Sequence, residues 1–356
     1  MKTRIINRFA KTAFAAILLL NLPLTARAID ARCGGDGPKP FLESPSGEFP
    51  TTIPTRASVE QFNYLEKTDS VVYRDERNGL RIANAAGDFS TGHTAPPLDR
   101  VTDPMERVLL AQGVGHLFDL AQPKYGWVEF YGETMHHIFW QHDNLYSVAS
   151  HRGLLGRKFI DVYQLPRNSY KAKATCTFQV GLNETLYLAQ GHNYPNIYFY
   201  EVDQRDSRHF LRFITYDVEQ CAFKPELSFK EAFTSPIQAV YHFDNLNSTA
   251  VKVDHPTENL FWQTGPDCRY FNIGNQQPIF PDSKRPYLFT WANSKLMLYS
   301  LNGQRKTELL SNFPMPIENI RTRDIWLNSQ GTELLVAAKI QGQTQRKILK
   351  LKVDLK

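Results

Sequence analysis

Groups of short strand-like segments recur along this 356-residue chain at an interval near 40 residues, and that recurrence constrains the fold more than any other feature. One apolar anchor from each group, Val71, Val108, Leu145, Leu186, Val251, Leu296 and Leu334, gives steps of 37, 37, 41, 65, 45 and 38 residues. In one place the echo is nearly literal: Glu106 to Gly113 reads ERVLLAQG and Glu184 to Gly191 reads ETLYLAQG. Both copies alternate apolar and polar side chains and close on a glycine, the pattern of a strand ending in a turn. Self-similarity at this period means stacked copies of one supersecondary unit.

The segments themselves read as β structure. SVVYRDE and LRIANAAGD flank Asn78-Gly79, a pair that tolerates the positive φ of tight hairpin turns. HIFWQ, NLYSVAS, KFIDVYQL, CTFQV, NIYFYEVD, FLRFITYD, IQAVYHF, NLFWQTG, YLFTW, KLMLYSL and ELLVAAKI continue the series, and few stretches carry a helical period. The long step is expected to span an irregular region between Arg205 and Asn247. A unit of 40 to 45 residues with three or four strands is the blade of a β-propeller. The expected fold is therefore all-β, a propeller of seven blades, with six or eight blades or a pair of β-sandwiches as the alternatives. The last repeat, Asp324 to Lys339 (DIWLNSQGTELLVAAK), resembles the YVTN-type and TolB-type propeller repeats, with Ser329-Gln330-Gly331 where those have Pro-Asp before the glycine. That resemblance implies the propeller fold and no particular activity.

Residues 1–28 read as an export leader. Lys2, Arg4, Arg8 and Lys11 form a basic start, Ala13 to Leu20 is apolar, and Ala26-Arg27-Ala28 supplies a small-x-small cleavage pattern of bacterial type. The apolar run is too short to cross a bilayer as a stable helix, and no later run reaches about 18 residues, so no transmembrane segment is expected. Setting the leader aside removes five cations: 36 basic residues then face 36 acidic ones. The balance gives no support to a nucleic-acid partner. Residues 29–58, rich in Pro and Gly, read as an arm laid on the surface, and residues 59–356 as the propeller domain.

Chemistry is harder to find. The four cysteines, Cys33, Cys176, Cys221 and Cys268, are disulfide candidates in an exported chain. Cys176, Cys221 and Cys268 are spaced by 45 and 47 residues, and equivalent places in successive repeats would put neighbours beyond the Cα separation of about 7 Å that a bridge tolerates. Bridging through Cys33 and burial as small hydrophobes are the alternatives. All ten histidines fall between His93 and His255, most densely around HHIFWQHDN. His142 and Asp143, His192, and His242 with Asp244 stand beside strand ends, where a propeller gathers loops at one rim, so these five are the candidate binding face. No HExxH, EF-hand loop or paired-cysteine zinc pattern occurs, and neither a metal nor a cofactor is predicted. Asp143, Asp203, Asp217, Asp244 and Asp254 could serve a two-carboxylate hydrolase, although aspartates at such places usually form turns. The expected function is a binding module, periplasmic or secreted, that recognises an envelope or extracellular protein or a glycan. The alternatives are a carbohydrate-active hydrolase or lyase at the channel mouth, and a structural partner in an envelope assembly docked through the arm.

Overall fold

The computed structural model describes residues 41–43, 51–94, 116–118, 127–129, 134–141, 144–166, 172–180, 186–243, 248–256, 259–264, 267–274, 278–280, 285–292, 295–301, 305–310, 317–318, 320, 324–340, 342–353 and 355. Two short strands of the arm come first, β1 (Phe41–Glu43) and β2 (Thr51–Ile53). An antiparallel meander follows, β3 (Val59–Leu65), β4 (Ser70–Asp75), β5 (Gly79–Asn84) and β6 (Gly87–Thr94), paired in that order. A two-stranded sheet joins β7 (His116–Phe118) to β8 (Trp127–Glu129). The next meander is β9 (Thr134–Gln141), β10 (Asn144–Arg152), β11 (Lys158–Pro166) and β12 (Lys173–Gln179). Then come β13 (Tyr187–Asn193), β14 (Asn196–Arg205), β15 (Arg208–Asp217) and β16 (Ala222–Phe233). The set β17 (Ile237–Phe243), β18 (Ser248–Val253), β19 (Leu260–Thr264) and β20 (Asp267–Phe271) is tied to it by one parallel bridge, Gln190 to Tyr241.

Two further sheets borrow their outer strands from the arm. Strands β21 (Tyr287–Ala292), β22 (Lys295–Ser300) and β23 (Arg305–Leu310) are extended by β1, which runs parallel to β23. The final sheet holds β24 (Ile317–Glu318), β25 (Ile325–Leu327), β26 (Glu333–Ile340) and β27 (Arg346–Lys352), with β2 antiparallel to β27 on its outside. The arm thus covers two edges that would otherwise expose unpaired backbone groups. It is built into the sheets rather than laid over them.

What makes the arrangement a β-propeller is where the apolar side chains go. Each buried cluster spans two consecutive sheets: Val148, Val162 and Phe139 meet Phe199 and Tyr216, Leu211 and Phe213 meet Val251 and Phe261, and Trp262 and Phe271 meet Met297 and Tyr299. Leu296 and Phe289 then meet Leu334 and Leu349, while Leu335, Ala337 and Ile348 meet Val59, Phe62 and Tyr73 of the first meander. The second strand of a sheet lies between neighbours on both faces, so its residues are buried continuously. All six residues of β18 are buried, as are Leu334 to Ala338.

Five of the seven anchors lie on those second strands. Val71, Leu145, Val251, Leu296 and Leu334 fall in β4, β10, β18, β22 and β26, whereas Val108 lies outside the described residues. Leu186 instead precedes β13, a first strand, and Ile197 in β14 is its equivalent. With Ile197 in place of Leu186 the steps of 41 and 65 residues become 52 and 54, longer than the rest because the strands of this sheet run to ten and twelve residues. The stretch expected to be irregular contains β15 and β16. The LAQG of residues 188–191 likewise does not close a strand. Its pairing with β14 shifts register between Leu188 and His192, so Gly191 occupies a bulge and β13 continues to Asn193. The copy at residues 106–113 lies outside the described residues.

The seam between the last and first sheets carries a dense polar network. Arg346 Nη2 lies 2.7 Å from Asp324, whose side chain is wholly buried, and 2.9 Å from the Ala337 carbonyl. Its Nη1 donates to the Val59 and Glu60 carbonyls at 3.1 and 3.3 Å. Nearby, Tyr64 donates to Asp69 at 2.6 Å, and Lys350 reaches Asp69 at 2.8 Å and Glu333 at 3.1 Å. Burial, followed by the two carboxylates, drives the Tyr64 hydroxyl well above its ordinary value. The hydrogen bonds from Lys350 and Tyr64 hold Asp69 below the usual carboxylate range. In the turn after β25, Asn328 Oδ1 accepts from Thr332 and Glu333, and Gly331 is at φ +71, where a Cβ would also meet the Leu355 carbonyl at 2.9 Å.

Replacing Arg346 by Ala takes the paired cation from the buried Asp324 carboxylate and removes a donor from three carbonyls. The expected loss is about 3–5 kcal/mol of unfolding free energy, read by denaturant titration. Lysine should recover little of it, since an ammonium cannot span the same partners in a fixed fork.

Candidate functional site

First strands in a propeller run in one sense around the channel, as the parallel bridge between β13 and β17 requires of that pair. One rim, here called upper, collects the chain where first strands begin. The lower rim collects the turns that lead to second strands. Of the candidate binding-face residues, His192 and His242 stand at the lower ends of β13 and β17. His142, Asp143 and Asp244 lie outside the described residues. His192 is the penultimate residue of β13, paired with Ile197.

His242, the penultimate residue of β17, is corrected: it belongs to the core. It is buried, its Nδ1 is 3.0 Å from Thr249 Oγ1, and its ring centroid lies 4.2 Å from that of Tyr198 and 4.8 Å from that of Phe213. Near the end of a strand, sequence cannot distinguish an imidazole facing solvent from one filling the gap between two sheets.

The upper rim carries three built features. At the end of β10, His151 Nδ1 lies 2.5 Å from Asp161 Oδ2, and the ring stacks on Phe159. Asp161 is buried, and its other oxygen accepts from Thr177 at 2.7 Å. The threonine therefore completes the carboxylate's hydrogen bonding instead of presenting a nucleophile to the imidazole. Second, β14 and β15 project past the start of β13. Tyr187 pairs with Tyr200, so Glu201 to Arg205 run on roughly 16 Å beyond it. The hairpin closes on Asp206 and Ser207, both at positive φ as a primed two-residue turn demands. Third, Tyr187 is 46% exposed at the head of β13, stacked on Tyr200.

The candidate carboxylates divide by role. Asp203 pairs with Arg205 at 2.5 Å on the projecting hairpin, and Asp254 follows the buried strand β18. Asp217 is a turn former: its Oδ1 accepts the N–H groups of Glu219 and Gln220, and Lys224 lies 2.7 Å from Oδ2. Burial pushes its carboxyl up, but Lys224 and the two N–H groups outweigh burial and hold it below the usual range. Lys252, buried on β18 with the Gly274 carbonyl at 3.5 Å, is pushed down by desolvation. Among the described residues, no three His, Cys, Asp or Glu side chains come together as a metal group.

That Asp217 turn also overturns the spacing argument for the cysteines. Cys176 on β12 and Cys221 after β15 form a disulfide with a Cα separation of 5.4 Å. Both stand near the start of fourth strands, as equivalence requires. The turn curls against the preceding sheet, with Cys176 Sγ 3.1 Å from the Val218 carbonyl and Cys221 at φ 51, and so closes the gap. Cys268, in β20, is disulfide-bonded as well, and Cys33 lies outside the described residues.

No family model and no curated protein matches this chain. Solved structures do. The chain is similar to YCF48 bound to D1 peptide, with 10% identity, a TM-score of 0.52, and 88% of this chain and 98% of that one covered. It is similar to YCF48 from Cyanidioschyzon merolae at 9% identity and a TM-score of 0.52, over 85% and 98% of the two chains. The β-propeller domain of the Trilobed protease from Pyrococcus furiosus matches at 9% identity and a TM-score of 0.48, over 86% and 99%. At such identities the likeness speaks to fold alone: this protein is an all-β β-propeller.

Converting Cys176 and Cys221 to serine together is expected to cost about 4 kcal/mol by releasing a closed loop of 45 residues, measured as a lower denaturation midpoint under non-reducing conditions. Asp217 has a depressed folded-state pKa. Its contribution is therefore complete above the unfolded carboxylate's value near pH 4 and disappears as pH falls through the folded value. Asp217→Asn should destabilise the protein at pH 7, with the gap to wild type narrowing at about pH 3 in matched urea titrations.

Proposed function

We propose that this chain is an exported, seven-bladed β-propeller that recognises a segment of another protein through its lower rim, in the bacterial periplasm or outside the cell. The observation that carries the reading is the fold likeness, across nearly the whole of both chains, to a propeller solved with a peptide bound. Seven blades are supported by the sheets themselves. Six have three or four strands of their own, and the two-stranded sheet stands between the first meander and the one beginning at β9. Export is supported by the leader-like residues 1–28 and by the disulfide chemistry. His142, Asp143, His192 and Asp244 are the lower-rim residues assigned to the recognising face, with His242 omitted because it is packed between sheets.

A hydrolase ranks second. Two carboxylates that work as acid and base need their proton affinities pushed apart. Asp69 and Glu333 are close enough to share Lys350, and that ammonium neutralises both instead of separating them.

Photo-crosslinking amino acids placed at Asp143 and Asp244, and at Arg77 as an upper-side control, test the proposal in cells expressing the chain with its own leader. Discrete protein adducts from the two lower-rim positions and none from Arg77 are expected. Equal adducts from all three positions, or adducts from none, would reject recognition by that rim.

A further inference from the structure

We propose that the turn from Arg152 to Lys158, on the upper rim, docks the propeller onto an anionic lipid surface. The turn leaves β10 and carries a single 3-10 turn, Leu154–Gly156. Leu154 is 91% exposed, far above Phe89 at 55% and Tyr187 at 46%, the other exposed large apolar side chains among the described residues. Arg152 and Arg157 are exposed on either side of it and Lys158 follows, while no acidic residue occurs between His151 and Ile160. None of these three cations takes part in an ion pair among the described residues. An apolar tip ringed by unpaired cations is the chemistry of a shallow membrane contact, with the leucine entering the acyl boundary and the cations meeting lipid phosphates.

The tip is held in shape, so its exposure is a property of the fold. The Gly153 N–H donates to the Arg157 carbonyl at 2.8 Å and the Gly156 N–H to the Gly153 carbonyl at 3.3 Å, with Gly156 at φ +73. A Cβ on Gly153 would stand 2.5 Å from the Phe159 ring, which itself stacks on His151, and His151 is fixed by the buried Asp161. Ordering in advance lowers the cost of binding. A lipid surface fits better than an acidic protein: a stable protein interface buries about 800 Å² per partner, and one projecting leucine supplies little of that. Tyr187 belongs to the same rim, and tyrosine suits the headgroup layer, where one end of the ring is wet and the other is not. Recognition of a protein by the opposite rim does not depend on this contact.

Co-sedimentation tests it, using protein secreted with its own leader so that it carries the N terminus that processing leaves. Vesicles of phosphatidylcholine alone are compared with an equal mixture of phosphatidylcholine and phosphatidylglycerol. Wild type is expected to sediment with the mixed vesicles and not with the neutral ones, less so as salt rises. Leu154→Glu and the double variant R152E/R157E should each lower the bound fraction roughly fivefold while melting at the wild-type temperature. No sedimentation with the mixed vesicles, or unchanged binding by Leu154→Glu, would overturn the proposal.

Discussion

Among the described residues, the sheets from β13 to β27 are apolar on both faces, and the rest of the structure follows from that constraint. A four-stranded meander buried on one face can finish its core with a single partner, but one buried on both needs a neighbour on each side. Consecutive sheets therefore stack until the last meets the first. The contact of Leu335, Ala337 and Ile348 with Val59, Phe62 and Tyr73 is that meeting, made by residues about 270 positions apart in the chain. Without it, two large apolar faces would stand in water.

The same constraint explains where the polar chemistry has gone. The Arg346–Asp324 pair, the Lys350 clasp and the bonds that Ser329 donates to Glu66 all lie on the seam where sequence-distant strands must find one another. Neighbouring sheets elsewhere follow one another directly along the chain, which already limits their relative positions. The seam has no such tether except the arm, whose β2 pairs with β27 and leads directly into β3. Buried ion pairs contribute little net stability but are unforgiving of misplacement, which suits a junction that must close in one register.

Sequence reached the fold through the second strands. SVVYRD, STAVKV and ELLVAAKI are legible because burial on two faces makes them nearly continuous apolar runs, and their spacing survives wherever strand lengths stay similar. Where β14 to β16 lengthen, the anchor slid by one strand to Leu186 and the following stretch looked irregular. The arm's strands were not legible, since FLE and TTI are three residues each and owe their conformation to partners roughly 260 to 300 residues away. The candidate site was less legible still. The position of His242 in the chain matches that of His192, yet whether such a ring faces solvent or fills an inter-sheet gap depends on Tyr198 and Phe213, which no local pattern reports. The cysteine spacing misled for a related reason: it treats repeats as rigid copies, whereas the turn braced by Asp217 reaches over to the preceding sheet.

The two rims are consequently different surfaces, although one repeating unit generates both. Lower-rim turns between first and second strands are short where they are described, as at Glu66 to Asp69 and Asn328 to Thr332, and these two are drawn into closing the ring. On the upper side the turns between second and third strands are free to vary, because they lie outside the inter-sheet contacts that fix the wheel. The protein uses that freedom twice, in the long β14–β15 hairpin and in the glycine-braced turn bearing Leu154. Variation concentrated on one side gives a ring of repeated units a direction, since the two ends of the wheel then differ in shape although the same strand order generates both.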